Sequence, residues 1–485
     1  MNPMSFFCMR RWKLAGICLA ACAGMAGGAE LDWGPLLSRD EAPSGEARWR
    51  ALGPLLEFRA GTNGYRLAAV RPLFSREYDV SQRKTAQDVL WPVWTGKKWH
   101  AQATQTQWRC LLLMSWRNDD VQDPGARYSF RVLPFYFQGR DDAGRPYWAL
   151  FPLGGTIRDF LFYDEVRFWL FPLYGRTRVD DLQGWFALWP VMARAWNDEV
   201  ERHRVFPFYG YSKRRDDFEK YFVLWPIWNH ARYGYAGASG TGYVLFPLFG
   251  HVKLEDQETW MFLPPFFRFS RGARLNQTYS PWPFVQITRG EVDQTYFWPL
   301  WGRKTANGYE HGFMVWPVCM RTRQFSPRND RQRSWVLPFV YFTDERQGLP
   351  APETTRRVRK IWPLFTWHKQ NDHSRLRVPT LLPFKDWEAI DRNYAPIWTL
   401  YSREATADTM EQEALWGIFR HRRRADGSRQ YALFPLARFA SRPPAGTLEW
   451  SLLQGAVGYS RVAGRRHLRL LYFIKFPLGG ADADD

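Results

Sequence analysis

Apolar runs centred on a proline return along almost the whole chain at intervals of about nineteen residues, and nothing else in the sequence restricts the fold as tightly. The copies begin with Gly34-Pro35-Leu36-Leu37 and Gly53-Pro54-Leu55-Leu56. They continue through Pro72, Pro92, Pro134, Pro152, Pro172, Pro190, Pro207, Pro226, Pro247, Pro264, Pro283, Pro299, Pro317, Pro338, Pro363, Pro383, Pro396, Pro435 and Pro477. Copies without the proline stand at Cys110 to Trp116, at Leu415 to Phe419 and near Leu453, which brings the array to about 24 units. Repetition at this period marks a repeat architecture or a strand array.

Each unit reads as a β-strand followed by a turn. A proline in the middle of every apolar run would break an amphipathic helix at its centre, so helices are excluded. The segments Asp141-Asp142-Ala143-Gly144, Asp180-Asp181 and Asp216-Asp217 carry turn chemistry. Connections this short cannot hold a parallel crossover, so consecutive strands must be antiparallel neighbours. The expected fold is all-β: one long antiparallel meander of about 24 strands, with a closed barrel favoured and a propeller or stacked-sheet body as the alternative. Around Pro172 both strand faces are apolar, and basic residues such as Arg176 and Arg178 follow. This predicts an apolar belt between two basic rims. The proline reads as a bend or bulge inside each strand, with Trp225 and its equivalents packed beside it.

Arg10, Arg11 and Lys13 precede an apolar stretch from Leu14 to Ala26, and no acidic residue occurs before Glu30. That is the layout of a secretory signal peptide. Within it, Leu19-Ala20-Ala21-Cys22 resembles the lipobox of bacterial lipoproteins, which implies removal of residues 1–21 and a lipid on Cys22. Cleavage after Ala29, with Gly27 and Ala29 as the small residues, is the alternative. No other segment has an apolar run long enough for a membrane-spanning helix, so any crossing would use strands. Residues 30–485 read as a single repeat β domain. The stretch 343–360, with Gly348, Pro350, Pro352 and the run Arg356-Arg357-Val358-Arg359-Lys360, reads as a surface loop. Beyond the leader and Cys22 only Cys110 and Cys319 remain, too few for disulfides to be the main source of stability. Aromatic burial must hold the fold, and 18% of the residues are Phe, Trp or Tyr.

The formal net charge is +19, of which Arg10, Arg11 and Lys13 lie in the leader. For an exported chain such an excess points to anionic lipid or glycan of the cell envelope, and export removes nucleic acid as a partner. Arg420, Arg422, Arg423 and Arg424 form the densest basic cluster and are the candidate contact with an anionic surface. The plainer reading is that such arginines solubilise strand ends and pair with the acidic turns. The nine histidines contain no HExxH or other close ligand spacing, and His368 and His373 read as loop residues. Gly237 to Gly242 matches neither a nucleophile elbow nor a dinucleotide fingerprint and reads as a flexible loop. Catalytic, metal and cofactor-binding residues are therefore assigned nowhere, and the chain is read as a non-enzyme without a cofactor.

Ala51-Leu52-Gly53-Pro54-Leu55-Leu56-Glu57, Arg71-Pro72-Leu73-Phe74-Ser75-Arg76 and Leu90-Trp91-Pro92, with the later copies, resemble uncharacterised bacterial exported proteins built from aromatic-proline strand repeats. The resemblance covers nearly all of the chain past the leader and implies no activity. Two functions fit the sequence. One is a β-barrel or structural protein of the outer membrane, lipid-anchored or inserted; the segment His467 to Phe476 resembles the terminal strand of such barrels in ending on an aromatic residue. The other is a lipid-tethered module, periplasmic or secreted, that binds glycans or partner proteins.

Overall fold

The computed structural model describes residues 31–41, 45–61, 64–215, 217–462 and 464–478. Cys22 and both cleavage sites of the leader lie outside these residues. The described chain is all-β, from β1 (Leu31–Trp33) to β46 (Ile474–Pro477), in strands of three to eight residues. Each strand pairs antiparallel with its neighbours in sequence, so the expected meander is present. It has 46 strands, nearly twice the expected number.

The count doubles because the proline signature is a hairpin turn and not a bend within a strand. Between β21 (Phe218–Val223) and β22 (Trp228–Tyr235) the chain reverses over Leu224-Trp225-Pro226-Ile227. The Ile227 N–H donates to the Leu224 carbonyl at 2.8 Å, Leu224 has φ 48°, and the Trp225–Pro226 peptide is cis. Copies without the proline turn differently, with two successive left-handed residues: Leu111 and Leu112, Leu415 and Trp416, Leu453 and Gln454. Two positive φ values in a row are what a type I′ hairpin turn requires. A leucine there bears a steric cost that glycine avoids. Leu112 is 74% exposed and gives up little packing on truncation. Leu112→Gly should therefore stabilise the protein by about 0.5 to 1 kcal/mol in denaturant titrations, and a loss of stability would contradict this account of the turn.

Register never slips along the sheet. One row of paired residues passes from Phe168 through Gly175, Phe186, Ala193, Arg204, Gly210, Phe222 and Asn229 to Val244. Traced in both directions, it connects Ser38 with Lys475. Since every second turn is a signature turn, all of them fall on one edge of the sheet, and the Asp-, Asn- and Gly-containing turns fall on the other. A barrel needs tilted strands and an accumulated stagger; this sheet has no stagger and is not closed into a barrel. Among the described residues β1 pairs only with β2 and β46 only with β45.

The face carrying that row is the inner one. Phe168, Phe186, Phe137, Ala149 and Ile157 form a buried apolar cluster on it. Aromatic rings lie over opposed glycines: a Cβ at Gly175 would come within 2.2 Å of the Phe186 ring. Towards the two ends of the sheet the inner face becomes charged, and the two ends are packed against each other. Gly34 lies against Phe434, Gly53 against Trp416, and Trp91 against Trp387.

Between β37 (His373–Val378) and β38 (Tyr401–Ala405) the repeat is interrupted by residues 379–400. This insert contains α1 (Glu388–Asn393) and α2 (Ala395–Trp398). Pro383 and Pro396 belong to it and make no hairpin turn of the sheet. The stretch 343–360 is not a surface loop. It belongs to β34 (Val340–Gln347) and β35 (Thr354–Ile361), with only 348–353 between them. Strand alternation sorts its basic run: Val358 and Lys360 are buried, whereas Arg359 pairs with Asp344 at 2.7 Å. Likewise Ala238 to Gly242 lie in β23 (Ala238–Leu245), and His467 to Phe476 spans a turn between two short strands. The sheet is a single-layered ribbon with two large faces, its two ends packed against each other.

Candidate functional site

The apolar edge is the most unusual surface of the molecule. Leu and aromatic residues flank each signature proline and stand in solvent: Leu188 and Trp189, Leu224 and Trp225, Phe208, Leu248, Leu300 and Phe339. Trp225, expected in a packed bend, is 51% exposed. The rings preceding successive prolines pack in tilted pairs along the edge, Phe151 with Phe171 at 5.2 Å, Phe171 with Trp189 at 5.8 Å, and Phe206 with Trp225 at 5.5 Å. Because register is constant, these residues share one level and form a continuous rim. Apolar surface this extensive marks a contact with lipid or protein. The opposite edge is polar, so the expected belt between two basic rims is replaced by one apolar and one polar edge.

A charged seam joins the ends of the ribbon. From β3 (Ala47–Ala51) Arg48 donates to Asp40 of β2 (Leu37–Glu41) at 2.8 and 3.0 Å. It also donates to Glu411 of β39 (Thr409–Ala414) at 2.6 Å. Arg50 donates to both oxygens of Glu413 at 2.6 and 2.7 Å. From α1, Arg392 reaches Glu77 at 2.6 Å and Asp88 at 2.5 Å, and Asn393 reaches Asp88 at 2.7 Å. Within the C-terminal part, Asp386 of the insert binds Lys360 and accepts from His368 at 2.7 Å. His368 and His373 are thus strand residues with carboxylate partners; His373 meets Glu404 at 2.8 Å.

Arg420 and Arg422, expected at an anionic surface, belong to this seam. They are 4% and 6% exposed and lie 3.3 and 3.1 Å from Asp40. In β40 (Phe419–Arg424) alternation turns them inward and leaves Arg423 exposed, with Arg424 beside Glu41 at 3.4 Å. Only Arg423 and Arg424 can meet an external surface. Their inward neighbours were not legible as such because Asp40, which both approach, lies far away in sequence.

Burial would raise the carboxyl of Asp40, but Arg48, Arg50 and Arg420 together outweigh it and hold the group well below the usual carboxylate range. Against the same burial, Arg59 and Arg71 hold Glu57 down, and His373 and Arg375 bring Glu404 to about 2. Depressed carboxylates stabilise the fold fully above their unfolded values near 4, and the contribution disappears as pH falls through the folded values. The seam should therefore hold from neutral pH to about 4 and loosen progressively towards about 2. Thermal midpoints recorded across that range would show this as a steepening decline. A flat profile would mean that the seam adds nothing to stability.

A third feature lies on the inner face, a concave cavity of about 870 Å³ lined by Phe186, Ala193, Arg202, Arg204, Lys220, Phe222 and Val244, with Trp189, Phe206 and Trp225 at its apolar-edge end. No protein-family model and no curated protein matches the chain.

Proposed function

We propose that this is a non-enzymatic protein of the cell envelope that seats its apolar edge in the surface of a bilayer, as a structural element of the membrane face. The observation that carries the reading is the single exposed rim of signature turns, with Trp and Leu at one level. Trp suits the boundary between headgroups and acyl chains, having an apolar body and a polar N–H. Strands of eight residues or fewer fall short of the 9 to 11 needed to cross. The reading therefore places the edge in the interface, with the ribbon standing above it, in preference to an inserted barrel.

Lipid on Cys22 would fit the same arrangement. A single acyl chain gives marginal anchoring, and a second signal makes it stable; the apolar edge supplies that signal. The nine residue steps from Cys22 to Leu31 reach about 30 Å when extended, enough to bridge from the membrane to β1. The net positive charge favours anionic lipid or glycan headgroups as the neighbours, and the outer membrane as the site.

Flotation of the purified chain, lacking residues 1–29, with vesicles of neutral and anionic lipid tests the proposal. Co-flotation with both, stronger with anionic lipid at low salt, is expected. A chain that stays at the bottom of the gradient with both would fit a soluble glycan- or protein-binding module instead.

A further inference from the structure

The inner face changes character along the ribbon. At its ends, cations and carboxylates meet in the seam. From β16 (Tyr174–Val179) to β32 (Cys319–Phe325) the inward strand positions hold Arg202, Arg204, Arg214, Lys220, Arg268 and Lys304 and no Asp or Glu. The acidic residues of these strands, Glu201, Glu219, Glu258, Asp293 and Glu310, all occupy outward positions. The cavity sits on this stretch.

Three of the cations line it. Arg202 and Arg204 come from β19 (Val200–Val205) and Lys220 from β21. All are exposed into the cavity, and no ion pair with a carboxylate forms at any of them among the described residues. Around them the walls are apolar: Phe186, Ala193 and Ala195 on one side, Ala231, Val244 and Val252 on the other. Lys220 lies 5.9 Å from the Phe218 ring, so this cation has an aromatic neighbour on its own strand. From Arg204 the wall leads through Phe206, packed at a tilt against Trp225, to the apolar edge.

We infer that this concave face binds one anionic amphiphile, its phosphate or carboxylate head on Arg202, Arg204 and Lys220 and its acyl chain along Phe222, Phe206 and Trp225 towards the apolar edge. The cations stand two to four residues in from Phe206. At about 3.4 Å per residue, the head is raised roughly 7 to 14 Å above the rim. The inference rests on the membrane reading for the source of the lipid and not for its binding.

The test uses dodecyl phosphate below its micelle-forming concentration, followed by titration calorimetry on the whole domain. Dodecyl maltoside serves as the uncharged chain and inorganic phosphate as the chainless head. Saturable binding of one dodecyl phosphate is expected, with the other two at least about tenfold weaker, because a charge-assisted pair and a buried chain are both needed. Arg202→Gln, Arg204→Gln and Lys220→Gln together should abolish the preference while leaving vesicle flotation unchanged. A photoactivatable analogue of dodecyl phosphate should label peptides containing Phe206, Trp225 or Val244 in the unaltered protein, which keeps the test open should the triple variant not fold. Equal binding of dodecyl maltoside would reduce the cavity to a nonspecific apolar surface, and equal binding of inorganic phosphate to an anion site. Labelling confined to other peptides would also overturn the inference. Failed flotation with intact dodecyl phosphate binding would remove the membrane reading and leave this one standing.

Discussion

Replacing Arg392 by Met should lower stability by about 3 to 5 kcal/mol, the cost of leaving a buried carboxylate without its cation. Asp88 is 1% exposed, and Arg392 is the charged group that meets it across the fold. Asn393 and Thr95 still donate to it, but they cannot neutralise it. The backbone of the same residue is also held, since Arg71 donates to the Arg392 carbonyl at 2.7 Å. The loss should be localised, with amide exchange rising in β6 (Phe74–Asp79), β7 (Lys84–Val89) and α1 before it rises in the middle of the ribbon. Adding Asp88→Asn should recover part of the loss, because the penalty then attaches to an amide in place of a charge. A double variant as unstable as the sum of the two singles would mean that the pair is not coupled.

How much of this was legible beforehand depended on whether the signal was local. Short connections such as Asp180-Asp181 dictate antiparallel neighbours, and the structure has them. The second set of turns was hidden. A hairpin turn is usually recognised by polar residues, whereas Leu224-Trp225-Pro226-Ile227 is apolar because its edge is. Strand, turn and strand therefore merged into one apolar run with an awkward proline at its centre, and the strand number came out near half. The proline was difficult to place in a strand because, Pro477 apart, it is not in one.

Non-local signals failed for a different reason. The run Arg420 to Arg424 looks like solvated charge, and one carboxylate that neutralises both Arg420 and Arg422, Asp40, comes from the other end of the chain, with Glu411 of the adjacent strand as the second. Only register and packing reveal that alternate arginines point inward. The insert at 379–400 kept the signature at Pro383 and Pro396, so the sequence pattern gave no warning that α1 would leave the sheet and seal the seam. The acid-free middle stretch of the inner face is an intermediate case, readable from the sequence once the turns are placed correctly, since inward and outward positions then alternate without a slip.

Phe208→Glu, Leu248→Glu and Leu300→Glu together should reduce partition into anionic vesicles by about a hundredfold or more. The three residues follow Pro207, Pro247 and Pro299, are 60%, 58% and 66% exposed, and hold the same position on the rim. Full burial of such a side chain contributes about 1.5 to 3 kcal/mol. Half of that for each residue, seated at the interface, amounts to about 2 to 4.5 kcal/mol over three sites, roughly two to three powers of ten. Stability should change little, because surface substitutions of this kind stay within about 0.5 kcal/mol, and a thermal scan separates the two effects. Rim charges act differently. Arg423→Gln with Arg424→Gln should lower binding to anionic vesicles only at low salt, since exposed pairs are screened within about 8 to 10 Å at physiological ionic strength. The seam would be untouched, as the two partners of Asp40 in this strand, Arg420 and Arg422, are left in place. Partition unchanged by all three glutamates would show that the edge does not touch lipid, and its apolar surface would then need a protein partner or a second copy of the chain to cover it.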